Sequence, residues 1–227
     1  MSDFEPIINQ SRYNDEALHV RLLRLKENID QAAPEFAEAM ENFIRRLELA
    51  QAGNSVPQIG EAMPNFLLPD ENGALISLEA LLGAGPVIVT FHRGHWCPYC
   101  RLSVETLART QTQLRPAQVV AITGDRPRYS KLLKAEAKAG FPMLTDLELG
   151  YTLSLNLAVW VDDKSAEFIA AAGYNIPEYQ GSAGWILPIP AAFAVSQDGI
   201  IRGRHVDPDY RKRIDMDALI AMTDLVT

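Results

Sequence analysis

The chain has 227 residues, of which 48% are hydrophobic and 22% are charged, and this composition suits a globular protein with enough apolar material to bury a core. No apolar run reaches the roughly 18 residues that a membrane-spanning helix needs, since the longest, 81–91, is interrupted by Gly83, Gly85 and Pro86. The 21 basic and 29 acidic residues leave a formal net charge of −8, and an acidic chain repels the phosphate backbone of nucleic acids. Composition and charge therefore argue against a membrane-spanning protein and against a nucleic-acid-binding one.

The start of the chain carries no targeting signal of the secretory type. Residues 1–6 contain neither the basic segment nor the apolar segment of a signal peptide. We therefore expect a cytoplasmic protein, in which two cysteines serve redox or metal chemistry rather than a disulfide scaffold.

Residues 1–56 predict a helical extension. Apolar residues recur at helical spacing over 17–29. Pro34 suits the first turn of a second helix, whose apolar face continues through 36–47 and ends in the loop-forming residues 48–55. Such an extension either packs on the main domain or provides the contacts of a homodimer.

The remainder, 57–227, predicts one α/β domain. Short β-branched runs over 86–91 and 119–123 predict buried strands, and an Asp-Gly turn predicts a hairpin over 191–204. Alternating strands and helices imply a mixed central sheet with helices on both faces. The predicted helices are 77–83, capped by Ser77 and stopped by Gly83, then 97–114, 129–139 and 216–225, with helix or loop over 146–174.

Both cysteines lie in one motif, W-C-P-Y-C at 96–100, between a predicted strand and a predicted helix. The spacing places Cys97 at the helix N-cap, Pro98 at the first helical position and Cys100 one turn further on. Free N–H groups and the positive end of the helix dipole then favour the thiolate form of Cys97, and the two histidines and one arginine of 92–95 add positive charge. A thiolate with a second thiol one turn away is a redox-active pair.

Two other uses of the pair remain open. Free cysteines are often inert core residues. His92 and His95 with Cys97 and Cys100 also make an N2S2 set of the kind that binds zinc, although these ligand pairs are closer together in the sequence than those of a zinc finger.

Four segments in order carry a resemblance to a known family. They are G-x-x-x-P-x-F-x-L at 60–68, GPVIVTFHRGHWCPYC at 85–100, FPMLTD at 141–146 and LPIPAAF at 187–193. Over about residues 57–210 the chain resembles the thioredoxin-fold superfamily and, within it, the peroxiredoxin-like AhpC/TSA family of alkyl hydroperoxide reductases and thiol-specific antioxidants. The resemblance implies a thioredoxin-like three-layer fold with a mixed central sheet, and a cis peptide bond before Pro190, beside the reactive sulfurs.

The family pattern P-x-x-x-T/S-x-x-C fits neither cysteine. Counted back from Cys100, its proline and hydroxyl positions hold Arg93 and Cys97, and counted back from Cys97 they hold Thr90 and Gly94. In the thioredoxin register Cys97 is the nucleophile and Cys100 resolves, whereas in the peroxiredoxin register the roles are exchanged. The helix dipole and the expected exposure favour Cys97.

Three further residues are predicted to support the pair. Trp96 resembles the tryptophan that precedes the thioredoxin cysteines, Arg93 offers a positive charge, and Pro190 is the cis-proline that the resemblance implies. The charged stretches 125–128 and 207–213 are predicted as solvated turns.

The sequence thus predicts a cytosolic thiol-dependent antioxidant enzyme, an oxidoreductase that reduces hydroperoxides and needs no bound cofactor. Cys97 attacks the peroxide and becomes a sulfenic acid, Cys100 condenses with it, and thioredoxin, glutaredoxin or a small thiol reduces the resulting disulfide. One alternative is a thioredoxin/glutaredoxin-like disulfide oxidoreductase without peroxidase activity, because C-P-Y-C also matches the glutaredoxin motif. The other is a zinc-binding or redox-gated interaction module.

Overall fold

The structure is a computed structural model that describes residues 4–12 and 16–226. Residues 1–3 and 13–15 of the predicted extension, and Thr227 of the predicted domain, lie outside the described residues. The helices are α1 (Glu5–Ser11), α2 (Leu18–Ala32), α3 (Pro34–Leu49), α4 (Leu78–Ala84), α5 (Pro98–Thr110), α6 (Pro127–Ala137), α7 (Gly150–Ser154), α8 (Asp163–Ala171), α9 (Ile176–Gln180) and α10 (Met216–Thr223), with 3-10 turns at Gln111–Leu114 and Leu147–Leu149. The strands are β1 (Leu67–Pro69), β2 (Leu75–Ser77), β3 (Val87–His92), β4 (Gln118–Thr123), β5 (Met143–Thr145), β6 (Ala158–Trp160), β7 (Ile186–Pro188), β8 (Ala191–Val195) and β9 (Ile201–Val206).

The central sheet is mixed, as predicted, and its described strands run in the order β5-β4-β3-β8-β9. β3 pairs in parallel with β4 and antiparallel with β8, so that Phe91 lies between Ile122 and Ala191. Every residue of β3 is buried, which explains why this strand is a continuous apolar run rather than an alternating one. Side chains of α5, α6 and α10 cover one face of the sheet, and Leu78 of α4 and Phe66 cover the other. These three layers form a thioredoxin-like fold.

The N-terminal helices pack on this domain. Leu25 and Ile29 of α2 and Phe43 of α3 are buried in a cluster that also contains Trp96 and the cysteines. The N-terminal helices therefore pack on the main domain of the same chain, the first of the two uses considered for the extension. The boundary between 56 and 57 stays a prediction.

Buried ion pairs join the same helices to α5. The Glu105 carboxylate lies 3.1 Å from Arg12 Nε and 3.5 Å from Arg21 Nη2. The two carboxylate oxygens of Glu5 each accept a hydrogen bond of 2.8 Å from the Arg101 guanidinium. The extension is therefore attached by charge to the helix that carries the cysteines.

Several elements differ from the sequence prediction. Helix α4 is capped by Ser77 as predicted, but it continues through Gly83 to Ala84. Its C-cap is Gly85, whose φ of +153° is accessible to glycine. Strands β1, β2, β5, β6 and β7 and helix α1 were not predicted, since each has only three to seven residues and such segments carry too few positions to show a period. Among the described residues, no helix is both long and apolar enough to cross a membrane.

The predicted cis bond before Pro190 is wrong. Among the described residues the cis peptide bond lies between Arg115 and Pro116. The chain before Pro190 is extended, with the Ile189 N–H donating to Leu157 O at 2.6 Å, and β8 begins directly after it. A trans bond carries the chain from β7 into β8, in agreement with the general preference of X-Pro bonds.

Candidate active site

The cysteine pair lies where a buried strand passes into a helix, as the sequence predicts. β3 ends at His92 and α5 begins at Pro98, with Cys97 as the N-cap residue and Pro98 in the first turn. Gly94 makes the connection with a φ of +137°, a conformation that favours glycine. The Cys97 N–H donates to Gly94 O at 3.2 Å, which closes the turn immediately before the helix.

Both sulfurs are enclosed, but they face different groups. Cys97 is 1% exposed and Cys100 is fully buried. The Cys100 Sγ accepts a hydrogen bond from the Arg93 backbone N–H at 3.2 Å and another from Arg213 Nη2 at 3.5 Å. The expectation that Cys97 is the exposed sulfur is therefore wrong, because the N-terminal helices and the residues around 210 cover the motif.

The two thiols have opposite pKa shifts. Burial raises the pKa of Cys97 well above its ordinary value, and its neighbour Cys100 raises it further. Burial also opposes the thiolate of Cys100, but the Cys97 thiol, the Arg213 guanidinium and His92 hold the Cys100 pKa well below its ordinary value. The sequence favoured the thiolate at Cys97, whereas in the structure the lowered pKa belongs to Cys100.

Arg93 and Trp96 form part of a stacked group beside the motif. The Arg93 guanidinium carbon lies 3.9 Å from the ring centroid of Tyr210 and 5.0 Å from that of Trp96. Tyr210 in turn packs edge-to-face on Tyr99 at a centroid distance of 5.4 Å. Arg93 Nη2 is buried without a hydrogen-bond partner, so that one cationic donor remains available near Cys97.

A small enclosed cavity of about 20 Å³ borders Cys97. Its wall contains Arg93, Trp96 and Tyr210 from the domain. The rest of the wall is apolar and includes Phe4 and Met40 of the extension. A space of this volume accommodates about one water-sized group.

The two histidines before the motif point to separate partners. His92 Nε2 lies 3.0 Å from Thr90 Oγ1, whereas His95 Nδ1 lies 2.9 Å from Asp125 Oδ2. The predicted N2S2 ligand set is not assembled, and no group of three or more His, Cys, Asp or Glu side chains among the described residues is arranged to hold a metal ion.

Asp125 itself is fully buried, so its prediction as part of a solvated turn is wrong. Burial raises the Asp125 pKa, while the bonds from His95 oppose that shift.

The stretch 207–213 also belongs to the site rather than to a solvated turn. Asp209 and Tyr210 are buried, and Arg213 reaches Cys100. Sequence analysis missed Arg213 because its neighbours are charged, as in an exposed loop. The tyrosine within the stretch, an aromatic residue among charged ones, was the signal in the sequence that this segment is buried.

Pro190 lines a second cavity of about 20 Å³ together with His92, His205 and Arg213.

The fold and the paired thiols define a thioredoxin-like protein with a dithiol site. Residues 59–204 match the model of the AhpC/TSA family. The chain belongs to this family, as its motifs indicated.

Among curated relatives, the chain is similar to the chloroplastic peroxiredoxin Q proteins of Oryza sativa subsp. japonica and Populus jackii. The identity is 32% and 30% over 89 residues, which is 38% of this chain and 41% of each relative. The chain therefore matches about two fifths of the length of these relatives.

Solved structures show the same fold. Peroxidoxin BcpB from Mycobacterium tuberculosis superposes with a TM-score of 0.57 at 18% identity, covering 75% of this chain and 98% of that one. Peroxiredoxin Q from Xanthomonas campestris gives a TM-score of 0.54 at 13% identity, covering 70% and 89%. The family match begins at 59 and ends at 204, so the N-terminal helices and Arg213 both lie outside it.

Proposed function

We propose that the protein is a thiol-dependent peroxidase that reduces hydroperoxides through a cycle between the Cys97–Cys100 dithiol and its disulfide. The observation that supports this most directly is the environment of Cys100, a buried sulfur with the Arg93 N–H and the Arg213 guanidinium within hydrogen-bonding range. These groups stabilise a thiolate, which is the form of cysteine that attacks an O–O bond. The names of its relatives agree with this activity.

In this proposal Cys100 attacks and Cys97 resolves, the peroxiredoxin register. The Cys97 thiol and Arg213 lower the pKa of Cys100 against the effect of burial, so that Cys100 is the more readily ionised of the two thiols. Burial and the neighbouring sulfur raise the Cys97 pKa and keep that residue protonated. Cys97 also takes the place where the family pattern has threonine or serine, and its hydrogen bond lowers the pKa of Cys100.

The Cys100 thiolate attacks one peroxide oxygen, the S–O bond forms and the O–O bond breaks, leaving a sulfenic acid and an alkoxide that takes a proton to become the alcohol. Cys97 then gives up its proton and attacks the sulfenic sulfur, so that the S–S bond forms and water leaves. Two electrons from an external dithiol, or from two small thiols, restore the reduced pair by exchange.

The reductant, the compartment and the assembly are further parts of the proposal. A thioredoxin, a glutaredoxin or a small thiol would attack the disulfide at Cys97, which borders the cavity. The cytoplasm supplies all three. A homodimer would use surface that is exposed in the single chain, which on α2 and α3 includes Leu23 and Leu49.

The test is rapid-mixing kinetics on the fully reduced protein with hydrogen peroxide and with cumene hydroperoxide, followed by tryptophan fluorescence. We expect oxidation far faster than that of a free thiol. The variant C100S should lose it, whereas C97S should still complete one turnover and accumulate a sulfenic acid that dimedone traps.

Other outcomes separate the remaining functions. Loss of the reaction in C97S, with survival in C100S, would assign the attack to Cys97 in the thioredoxin register. The protein would instead be a disulfide oxidoreductase if peroxide oxidised it no faster than a free thiol and if it rapidly reduced insulin or a mixed glutathione disulfide.

A further inference from the structure

The second cavity, of about 20 Å³, lies where three separate segments of the chain meet. Its polar wall is formed mainly by His92 at the end of β3, His205 of β9 and Arg213 from the loop before α10. The rest of the wall is largely apolar and includes Phe91 and Leu107. The space therefore accommodates about one water-sized group with only a few polar neighbours.

Each of the three polar side chains has one buried nitrogen with no hydrogen-bond partner in the protein. These atoms are His92 Nδ1, His205 Nε2 and Arg213 Nε. Buried polar atoms are almost always hydrogen-bonded, either to the protein or to ordered water. Three such nitrogens on side chains that line one small cavity therefore indicate a shared polar ligand.

The hydrogen-bonding roles of these nitrogens define the ligand. The Thr90 hydroxyl donates to Val120 O at 3.1 Å and so accepts from His92 Nε2–H at 3.0 Å, which leaves Nδ1 of the neutral ring as an acceptor. Arg213 Nε–H can only donate. An anion cannot donate to His92 and a metal cation cannot accept from Arg213, whereas a water molecule does both.

We propose that one water molecule binds between His92, His205 and Arg213. Through this water His205 holds the Arg213 guanidinium against the Sγ atom of Cys100, to which Arg213 Nη2 donates at 3.5 Å. His205 is thus a positioning residue for the thiolate, and its effect on the peroxide reaction rests on the peroxidase function proposed above. Both His205 and Arg213 lie beyond the family match, which ends at 204.

The charges around His205 suit this role. Burial lowers the pKa of His205 and Arg213 acts in the same direction, while Asp207 and Asp215 oppose the shift. The ring is therefore neutral at neutral pH, and it bonds to the water without placing a second cation beside Arg213.

The pKa of Cys100 reports where the Arg213 guanidinium lies. Burial opposes the thiolate, whereas the Cys97 thiol, Arg213 and His92 lower the pKa. The thiolate also repels the carboxylate of the buried Asp125. A guanidinium that is held less firmly should therefore leave Cys100 with a higher pKa.

The first measurement is the thiolate absorbance of C97S/H205F against pH, compared with that of C97S. Phenylalanine keeps the bulk of the ring but offers the water no hydrogen bond, so the absorbance should rise at a higher pH. C97S/H205Q, whose amide can still bond to the water, should titrate like C97S. The matched control C97S/H19F changes an exposed histidine and should also titrate like C97S.

The second measurement is the rate of peroxide oxidation with Cys97 intact. At neutral pH, H205F should react roughly three- to tenfold more slowly than the unmodified protein, the effect of losing one hydrogen bond. The two rates should converge at high pH, where Cys100 is ionised in both proteins. A deficit that persists at high pH, or an unchanged titration in C97S/H205F, would overturn the positioning role. A shifted titration without fast peroxide oxidation in any of these proteins would keep the positioning role and reject the peroxidase function.

The water itself is tested by a crystal structure of the reduced protein, which needs no variant. We expect electron density for one water molecule within hydrogen-bonding distance of His92 Nδ1, His205 Nε2 and Arg213 Nε. A well-defined structure without that density would overturn the proposal.

Discussion

The guanidinium of Arg213 lies 3.5 Å from the Sγ atom of Cys100, although 113 residues separate them in the chain. Arg213 Nη1 also donates to the carbonyl of Tyr210, which fixes the side chain above the sulfur. A cation held at this distance in a buried site stabilises the anionic form of the thiol. The relation explains how a fully buried cysteine keeps a lowered pKa.

Replacing Arg213 by glutamine should raise the pKa of the Cys100 thiol. Burial already opposes the thiolate and the guanidinium is one of the groups that offset it, so its loss shifts the balance towards the protonated form. The thiolate absorbance of C97S/R213Q, titrated against pH, should therefore rise at a higher pH than that of C97S. Arg213→Lys, which keeps the charge, should recover most of the difference.

The exposed Arg202 provides the control for this change. It pairs with Asp198 at 2.7 Å on the surface, far from the motif in the chain. Arg202→Gln should not change the pH at which the thiolate absorbance of Cys100 rises. An equal shift in both variants would show that net charge, rather than the contact with Cys100, sets the pKa.

The local part of the site could be predicted from the sequence, but the distant part could not. The strand end, the glycine link and the helix start place Cys97, Cys100 and Arg93 together within eight residues, so spacing alone indicates their geometry. The fold brings Arg213 and Tyr210 to the motif from a distant part of the chain. The sequence of a charged loop does not show whether the loop is solvated or packed over a sulfur. The resemblance gave Pro190 a cis bond that this chain does not have.

The secondary structure, too, could be predicted from the sequence only in part. Long periodic or β-branched segments such as α2, α3, β3 and β4 were predicted to within a few residues, because many positions share one period. The sequence favoured Cys97 as the thiolate because of the helix dipole, the positive charges of 92–95 and the expected exposure. This prediction failed because Cys97 is buried and because the Cys97 thiol and Arg213 lower the pKa of Cys100 instead.

Gly94→Ala should distort the link between β3 and α5. A Cβ atom there would lie 2.6 Å from Asp125 Oδ1 and 2.7 Å from Trp96 Nε1, and the φ of +137° is already unsuited to alanine. We expect a loss of about 1–3 kcal/mol in the free energy of unfolding, together with slower peroxide oxidation, because Trp96 and Cys97 move with the link.

The control for this variant is Gly73→Ala in the β1–β2 turn. Its φ is +87°, but nothing lies within 4 Å of the added Cβ. Urea denaturation should show a smaller loss for Gly73→Ala, and its peroxide kinetics should be unchanged. Equal kinetics in the two variants would mean that the close contacts at Gly94 do not position the motif.

Glu105→Ala should destabilise the attachment of the extension. Its carboxylate is 3% exposed and lies among Arg12, Arg21 and Arg109 at 3.1, 3.5 and 2.5 Å. The substitution takes the carboxylate away from the buried guanidinium of Arg21, at a cost of about 3–5 kcal/mol.

The denaturation midpoint in urea measures this cost. Lys26→Ala, which breaks the partly exposed pair of Lys26 with Asp30, should cost about 0–1 kcal/mol. Comparable losses in the two variants would contradict a special role for the buried network. Hydrogen exchange should show that α1 and α2 open first in Glu105→Ala, since both helices are bound to α5 through this carboxylate.

Thr90 and His92 should together set the lower pH limit of the peroxide reaction. The Thr90 hydroxyl donates to Val120 O at 3.1 Å, so it accepts from the His92 Nε2–H at 3.0 Å. Thr90 thus fixes the orientation of the His92 ring, and His92 helps to lower the pKa of Cys100. Protonation of the Cys100 thiolate on acidification should therefore slow the reaction only below the ordinary thiol range. His92→Phe should move this fall in rate to higher pH, and Thr90→Val should move it in the same direction by less, because the ring stays but loses its fixed orientation. A pH profile that is identical in all three proteins would remove His92 from the site.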